Sequence, residues 1–218
     1  MQQLIVATRN RNKTREIQQI LGPKFEVRDL SAYPEISETV ESGKSFEENA
    51  KLKAIAVSKE LSGLTIGDDS GLEVAALGGA PGIYSARYAG DKATDKENID
   101  RLLEELGRVG AQRDQRRARF RCVLALARNG QMLGTFEGIA DGAIVDQPRG
   151  SHGFGYDPIF VPNGFEETFG ELPAELKNSI SHRARAIRAL RAGWATLERG
   201  NQGFGGGGGG GGAPGGGA

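Results

Sequence analysis

The chain has 218 residues with 28 basic and 28 acidic side chains, so its formal net charge is zero. That balance gives no strong attraction to nucleic acid or to an anionic membrane. Its single cysteine, Cys122, excludes an internal disulfide, and no apolar run approaches the ~20 residues of a membrane span. The start of the sequence lacks a signal-peptide pattern, so the cytoplasm is the expected location.

Composition divides the chain into two parts. Residues 1–200 are numerous enough to build one sizeable core, and we expect a single domain there. Residues 201–218 are mostly glycine and have almost nothing to bury, which predicts a disordered tail.

The first predicted elements alternate between strand and helix. Residues 4–7 and 25–27 are short apolar runs that predict strands. Apolar residues at helical spacing lie between them and predict a helix that stops at Gly22.

A second helix and an acidic segment follow. Ser45 with Glu48 forms a capping box, which predicts a helix to about residue 60. The apolar runs 64–66 and 72–74 then predict two strands that flank an acidic turn.

The second half predicts a hairpin between two helices. A capping box at Thr94 opens a helix that ends at Gly107. Apolar residues alternate over 120–126, and the turn Asn129-Gly130 predicts that the next strand returns antiparallel, to about residue 139. A last helix is predicted over residues 181–199. Early alternation and a later hairpin together indicate an α/β fold with a mixed sheet.

The adjacent carboxylates Asp68 and Asp69 follow the apolar run 64–66. Carboxylates at a strand end suit Mg²⁺, which takes oxygen ligands and is bound through one or two carboxylates plus substrate phosphates. The alternative is an acidic turn in which Asp and Ser side chains bond their own backbone. These few residues leave both interpretations open.

The longer string DDSGLEVAALGGAPGIYSARYAG, residues 68–90, closely resembles the signature of the inosine triphosphate pyrophosphatase family, also called the Ham1 family. Four further segments match that family in order, so the resemblance covers roughly residues 1–195. It implies Mg²⁺-dependent hydrolysis of deaminated purine nucleoside triphosphates (ITP, dITP and XTP) to monophosphate and pyrophosphate. It also implies a long twisted mixed β-sheet with flanking helices, two lobes around a central active-site cleft, and a homodimer.

The resemblance assigns the metal and the catalytic base. Asp69 is expected to be both Mg²⁺ ligand and general base, with Glu41 as the second ligand. Glu35 and Glu38 are rival ligands in the same acidic stretch. Asp68 is expected to contact the metal indirectly or to cap the turn.

Segment 8–13 lies between a predicted strand and a helix start, where backbone N–H groups, a hydroxyl and an ammonium suit a triphosphate. A plain N-cap by Asn10 or Asn12 is the alternative. The resemblance implies phosphate binding by Thr8, Asn10 and Lys13, while Arg9, where many members have glycine, adds a phosphate contact or faces water. The residues expected to bind the triphosphate are Thr8, Arg9, Asn10, Arg11, Asn12, Lys13, Lys53 and Ser70.

A third group of residues is expected at the purine base. Phe154 offers a ring for stacking, unless it belongs to the core, and Lys177, His182 and Arg183 are donors that could face a purine O6. Hypoxanthine and xanthine present an acceptor there, whereas adenine presents an amino donor. The residues expected to bind the base are Phe154, Gly155, Tyr156, Asp157, Lys177, His182 and Arg183.

Two other functions remain as alternatives. One is the related Maf-like pyrophosphatase activity on pyrimidine or modified nucleotides, against which the Phe154 and His182-Arg183 segments argue. The other is a non-catalytic nucleotide- or RNA-binding module that uses the arginines between residues 113 and 121. No aromatic-rich RNA-recognition pattern accompanies those arginines, so we expect a solvated face and no nucleic-acid or membrane partner.

Overall fold

A computed structural model describes the backbone of residues 2–202 and the side chains of residues 2–194. Residues 201 and 202 still belong to the last helix, and the rest of the predicted tail lies outside the described residues. Across the described part of the chain, no helix combines the length and the apolar character needed to cross a membrane.

Six strands form one mixed sheet in the order β2-β1-β3-β4-β5-β6. The strands are β1 (Gln2–Val6), β2 (Phe25–Asp29), β3 (Leu64–Val74), β4 (Arg117–Arg128), β5 (Gln131–Ile144) and β6 (Phe160–Pro162). β1 runs parallel to β2 and β3, and all other neighbours are antiparallel. The predicted α/β fold with a mixed sheet and flanking helices is confirmed.

Five α-helices accompany the sheet within the described residues. They are α1 (Arg11–Leu21), α2 (Phe46–Glu60), α3 (Asp95–Arg108), α4 (Ala174–Ile180) and α5 (His182–Gln202). Ser45 caps α2 by accepting a hydrogen bond from the Glu48 amide, and Thr94 forms a complete capping box at α3. The predicted starts of these two helices are therefore confirmed.

The predicted acidic turn is wrong. Residues 64–74 form one unbroken strand, β3, in which Asp68 and Asp69 stand opposite Leu124 and Val123 of β4. Acidic residues are depleted in strands, but pairing with a long neighbouring strand overrides that local preference. The two carboxylates therefore occupy fixed positions in a central strand.

Strand β5 extends five residues beyond the predicted end at residue 139, to Ile144. Glycines at 134, 138 and 142 interrupt its apolar alternation, which removes the signal on which the prediction depended. Gly138 allows close packing, because a Cβ there would lie 2.0 Å from the backbone oxygen of His182 at the start of α5.

Two large apolar clusters meet near the middle of β3. One contains Ile66 and packs α1 and α5 against the sheet, and the other contains Leu72 and packs α3 and Phe160. Asp68 and Asp69 lie in the stretch of β3 between these clusters. Of the two, only Asp68 shares the face of Ile66 and Leu72, so the fold places one charged side chain where the apolar core is divided.

Candidate active site

The adjacent carboxylates of β3 point to opposite faces of the sheet, because side chains alternate along a strand. Asp68 faces α1 and α5, whereas Asp69 faces α2. Helix α2 lies directly on the strand, since a Cβ at Gly67 would stand 2.0 Å from the Ala50 carbonyl oxygen. Two neighbours in sequence thus belong to separate environments.

Asp69 is held by two side chains that lie one turn apart on α2. The Asn49 amide donates to one carboxylate oxygen at 3.2 Å, and the Lys53 ammonium donates to the other at 3.2 Å. Lys53 also donates to Glu41 at 2.8 Å. Asn49 and Lys53 therefore share the face of α2 that is directed at Asp69, and Glu41 joins the same group.

The protonation preferences of this group differ. Burial raises the pKa of Asp69 above its usual value, and the charge of Glu41 adds to the rise, although Lys53 opposes it. Burial would also raise the pKa of Glu41, but the Lys53 ammonium overcomes this and lowers it. Burial disfavours charged Lys53, yet the two carboxylates raise its pKa. Asp69 is therefore the better proton acceptor of the two carboxylates.

The donor set at this point fits a metal bound together with substrate. No group of three or more His, Cys, Asp or Glu side chains is arranged to hold a metal in the described part of the chain. Glu41 and Asp69 share one ammonium between them, so together they offer two hard carboxylates at a site already suited to a cation. Mg²⁺ is commonly bound through one or two carboxylates, waters and substrate phosphates. The rivals Glu35 and Glu38 are exposed, and their carboxylates are not bonded to Lys53 or Asp69.

Asp68 has no turn to cap, and it binds two cations instead. It is completely buried and contacts the Lys13 ammonium and the Arg183 Nε, each at 2.8 Å. Burial would raise its pKa, but Arg183 and Lys13 hold that pKa well below the usual value. Ser70, expected at a phosphate, donates to Asp68 and accepts from Arg183. Asp68 therefore stays charged and fixes the positions of two expected substrate-binding side chains.

Glu16 is a buried member of this network that the sequence analysis missed. Its carboxylate accepts from Lys177 at 2.6 Å and from Arg183 at 2.5 Å. Lys177 also donates at 2.5 Å to Asp157, which in turn accepts from the Phe154 amide. The available signal was an acidic residue beside Ile17 on the buried face of α1.

The expected base-binding residues line a cavity of about 280 Å³. The Lys177 ammonium lies 5.0 Å from the centre of the Phe154 ring, and the Arg183 guanidinium lies 5.8 Å from it. The His182 ring stacks on Phe120, with ring centres 4.7 Å apart and planes 12° apart. These residues, distant in sequence, are brought together as predicted.

Segment 154–157 is tied to two other parts of the chain. The Gly155 amide donates to the Asp95 carboxylate at 2.7 Å, at the start of α3. The Tyr156 hydroxyl donates to the Ser85 carbonyl oxygen at 2.7 Å. The segment is therefore held in place by these contacts.

His182 is neutral in this environment. Only 4% of its surface is exposed, and Nδ1 has no hydrogen-bond partner among the described residues. Burial holds its pKa well below the usual value, and the charges of Arg183 and Lys177 lower it further. A neutral imidazole carries one N–H donor and one acceptor nitrogen, so His182 can donate one hydrogen bond.

The segment expected to bind phosphates opens α1. The Asn10 carboxamide caps the helix by accepting from the amides of Asn12 and Lys13 at 3.0 and 3.3 Å. The Thr8 hydroxyl accepts from the Asn10 amide at 3.0 Å. Arg11 and Asn12 are exposed. The N-cap alternative is confirmed for Asn10, and it leaves the Lys13 ammonium beside Asp68.

A second cavity, of about 580 Å³, adjoins this segment. Lys13, Lys53 and Arg87 line it together with Glu41. Arg87 was not predicted as a site residue, and its guanidinium lies 3.4 Å from Glu41. With Arg9, which also lines it, the cavity therefore gathers four cationic side chains next to the candidate metal ligand Glu41.

The arginines between residues 113 and 121 do not line either of these two cavities. Three of these arginines pair with carboxylates. The pairs are Arg116–Asp146, Arg119–Glu73 and Arg121–Glu137. This pairing accords with the interpretation of a solvated strand face.

Comparison with known proteins settles the family. A model of the Ham1 family matches residues 4–193. The chain belongs to the Ham1 family. It is 47% identical to a dITP/XTP pyrophosphatase of Bacillus licheniformis over 196 residues, which cover 88% of the chain and 97% of the relative. It is 48% identical to a dITP/XTP pyrophosphatase of Geobacter sulfurreducens, covering 91% of the chain and all of the relative.

A solved structure of another Ham1 family member agrees in fold. The Staphylococcus aureus Ham1 protein superposes with a TM-score of 0.77 at 40% sequence identity, covering 89% of this chain and 99% of that one. The resemblance recognised from the sequence motifs is therefore confirmed along almost the whole described chain.

Proposed function

We propose that this chain hydrolyses deaminated purine nucleoside triphosphates, ITP, dITP and XTP, to the monophosphate and pyrophosphate, with Mg²⁺, and so removes them from the precursor pool. Its relatives in Bacillus licheniformis and Geobacter sulfurreducens are dITP/XTP pyrophosphatases, which supports nucleotide-pool cleansing as the broad role.

One observation carries the proposal. The Asp68 carboxylate contacts Lys13, which belongs to the phosphate loop (residues 8–13, expected to bind the triphosphate), and Arg183, at the base cavity. Asp69 on the opposite face contacts Lys53. Asp69 nevertheless lines the same cavity as Lys13 and Phe154, so a nucleotide whose base lies at Phe154 and whose phosphates reach Lys13 passes by Asp69. Both cavities border Lys13 and Glu41, so the two ends of the substrate have a continuous path.

The hydrolytic step follows from the positions of the charged groups. Bound Mg²⁺, held by Glu41 and Asp69, would neutralise charge on the phosphates and lower the pKa of a bound water. Asp69 orients the attacking water and takes its proton. A bond forms between the water oxygen and the α-phosphorus as the bond from that phosphorus to the bridging oxygen breaks. Lys13, Lys53 and Arg87 stabilise the negative charge on the departing pyrophosphate.

Base selection follows from the donors at the other end. Lys177, His182 and Arg183 offer N–H groups, which pair with the O6 acceptor of hypoxanthine or xanthine. The 6-amino group of adenine would leave a buried donor facing another donor, at roughly 1–3 kcal/mol for each unpaired group. The buried carboxylates Glu16 and Asp68 are already bonded to these cations, so they keep the donors oriented.

A pyrophosphate-release screen tests the proposal. Each common nucleoside triphosphate, together with ITP, dITP and XTP, is incubated with the full chain in Mg²⁺ or in EDTA. We expect release from ITP, dITP and XTP in Mg²⁺, little from ATP, and none in EDTA. Release of single phosphates, or preference for pyrimidine nucleotides, would contradict the proposal.

We also propose a homodimer in the cytoplasm, which rests on the family resemblance. Sedimentation of the purified chain tests the dimer, since a mass near twice 23.1 kDa is expected. A monomer at micromolar concentration would refute it.

A further inference from the structure

Arg9 does not point freely into water. Its Nη1 donates to the Leu30 carbonyl oxygen at 2.9 Å, and its Nη2 donates to the Ile36 carbonyl oxygen at 2.7 Å. The Leu30 amide also donates to the Thr8 carbonyl oxygen at 3.0 Å. The start of the phosphate loop is therefore bound at three points to the segment that follows β2.

That segment leads directly to the candidate metal ligand Glu41. Residues 37–43 have no regular secondary structure, and Gly43 is fixed by donating its amide to Asn49 at 2.8 Å. We name residues 37–42 the acidic strap, since it carries Glu38 and Glu41. One end of the strap is anchored at Ile36, and the other at Gly43.

Asn49 also donates to Asp69, so the Gly43 anchor belongs to the candidate active site itself. The Ile36 anchor has a different origin, because its carbonyl oxygen is held by a side chain from the phosphate loop. Without that bond, the unanchored segment would no longer begin after Ile36. It would extend back to the 3-10 turn Leu30–Ala32 and would therefore be longer. Ordering each additional residue costs conformational entropy.

We propose that Arg9 is a positioning residue that clamps the acidic strap, and thereby places Glu41 opposite Asp69. Its Nη1 and Nη2 groups donate to carbonyl oxygens 21 and 27 residues further along the chain. One planar guanidinium can make both hydrogen bonds at once. The consequence for metal binding rests on the proposed function, whereas the clamp itself does not.

Two variants separate this role from a phosphate contact. Arg9→Ala removes both the fork and the charge, and Arg9→Lys keeps the charge but cannot bond two carbonyls in a fixed fork. Arg15→Ala is the matched control, because it removes an exposed arginine from α1 outside the site.

The first measurement is hydrogen exchange of the metal-free full chain. The backbone amides of Tyr33, Ile36 and Ser42 donate to carbonyl oxygens around the strap, and the Gly43 amide donates to the Asn49 side chain. Loss of the clamp should speed their exchange by about 5-fold or more in both Arg9 variants, the effect of roughly one net hydrogen bond. Arg15→Ala should match the unsubstituted chain. Unchanged exchange with only a lower Tm would overturn the proposal.

The second measurement is the Mg²⁺ concentration that gives half-maximal pyrophosphate release. It should rise by about 5-fold or more in both Arg9 variants, and to the same extent in each, because neither alanine nor lysine can bond the two carbonyl oxygens at once. A raised KM for every nucleotide in Arg9→Ala that Arg9→Lys restores would make Arg9 a phosphate contact and overturn the clamp. If the unsubstituted chain releases no pyrophosphate, the proposed function fails, and the exchange measurement still decides the clamp.

Discussion

The buried imidazole of His182 predicts a specific loss of stability in mild acid. In the folded chain its pKa is held well below the usual 6.5, first by burial and then by Arg183 and Lys177. An unfolded chain would protonate this histidine below pH 6.5, whereas the folded chain would not. The unfolded state therefore binds more protons, and the free energy of unfolding falls as the pH drops below 6.5.

The size of the effect follows from the same difference. Each pH unit below the unfolded pKa costs about 1.4 kcal/mol for one proton. Between pH 7 and pH 5 this single group should therefore remove up to about 2 kcal/mol from the free energy of unfolding, the limit set by the unfolded pKa alone. Asp69 and Asp157 have raised pKa values, so their protonation increases the free energy of unfolding as the pH falls. Both residues are present in the unsubstituted chain and in the His182 variant, so their effect cancels when the two are compared.

The comparison is between the unsubstituted chain and His182→Phe. Phenylalanine can keep the stack on Phe120, in which the ring centres lie 4.7 Å apart, but it cannot titrate. Urea unfolding at pH 7 and pH 5 is followed by the fluorescence of Trp194, the single tryptophan, which packs edge-on against Phe25. The exposed His152 provides the matched control variant, His152→Gln.

We expect the free energy of unfolding of His182→Phe to fall less between these pH values than that of the unsubstituted chain, by up to about 2 kcal/mol. His152→Gln should behave like the unsubstituted chain. Equal losses in His182→Phe and the unsubstituted chain would mean that the folded chain accommodates a charged His182, and the reasoning from burial would be refuted.

Three further predictions concern the chemistry. Asp69→Asn should lower kcat for ITP by at least ~10²-fold while the protein remains folded, and near-normal turnover would remove Asp69 as the base. Glu41→Gln should slow pyrophosphate release in a way that excess Mg²⁺ partly restores. If Glu35→Gln shows this behaviour and Glu41→Gln does not, the assignment of Glu41 as the metal ligand is refuted. Arg183→Ala should lower the free energy of unfolding by about 3–5 kcal/mol, because it leaves buried carboxylates with one cation fewer. In the folded fraction of this variant, kcat/KM for ITP should fall about 5- to 150-fold and kcat/KM for ATP much less. Equal falls for both nucleotides would mean that Arg183 contributes to phosphate binding or to folding, and not to base selection.

Local signals were sufficient for much of the fold. The caps at Ser45 and Thr94 depend on residues three apart, and the turn Asn129-Gly130 depends on two adjacent residues, so the sequence alone locates them. Helix α4 was missed because it has only seven residues and no side-chain cap at its start. The capping signals that located other helices are absent at that point of the described chain.

The site residues were predictable for a different reason. Asp69, Phe154 and His182 are far apart in sequence, and only their match to family motifs placed them in one site. Glu16 has no such motif in the sequence analysis, because its role arises from two cations more than 160 residues away. A buried carboxylate of this kind is recognisable only when the tertiary packing is known.

The error at β3 explains how two adjacent aspartates acquire different roles. In a turn, neither carboxylate would have a fixed direction, whereas a strand in a ladder sends consecutive side chains to opposite faces. The pairing of Asp68 with Leu124 and Asp69 with Val123 fixes that register. A slip of one residue would exchange the two faces, placing the cation-bound carboxylate at α2 and the proton acceptor in the core. The long β3–β4 ladder is therefore what separates the cation-bound carboxylate of Asp68 from the proposed catalytic carboxylate of Asp69, so the proposed chemistry depends on the register of the sheet as much as on the identity of the residues.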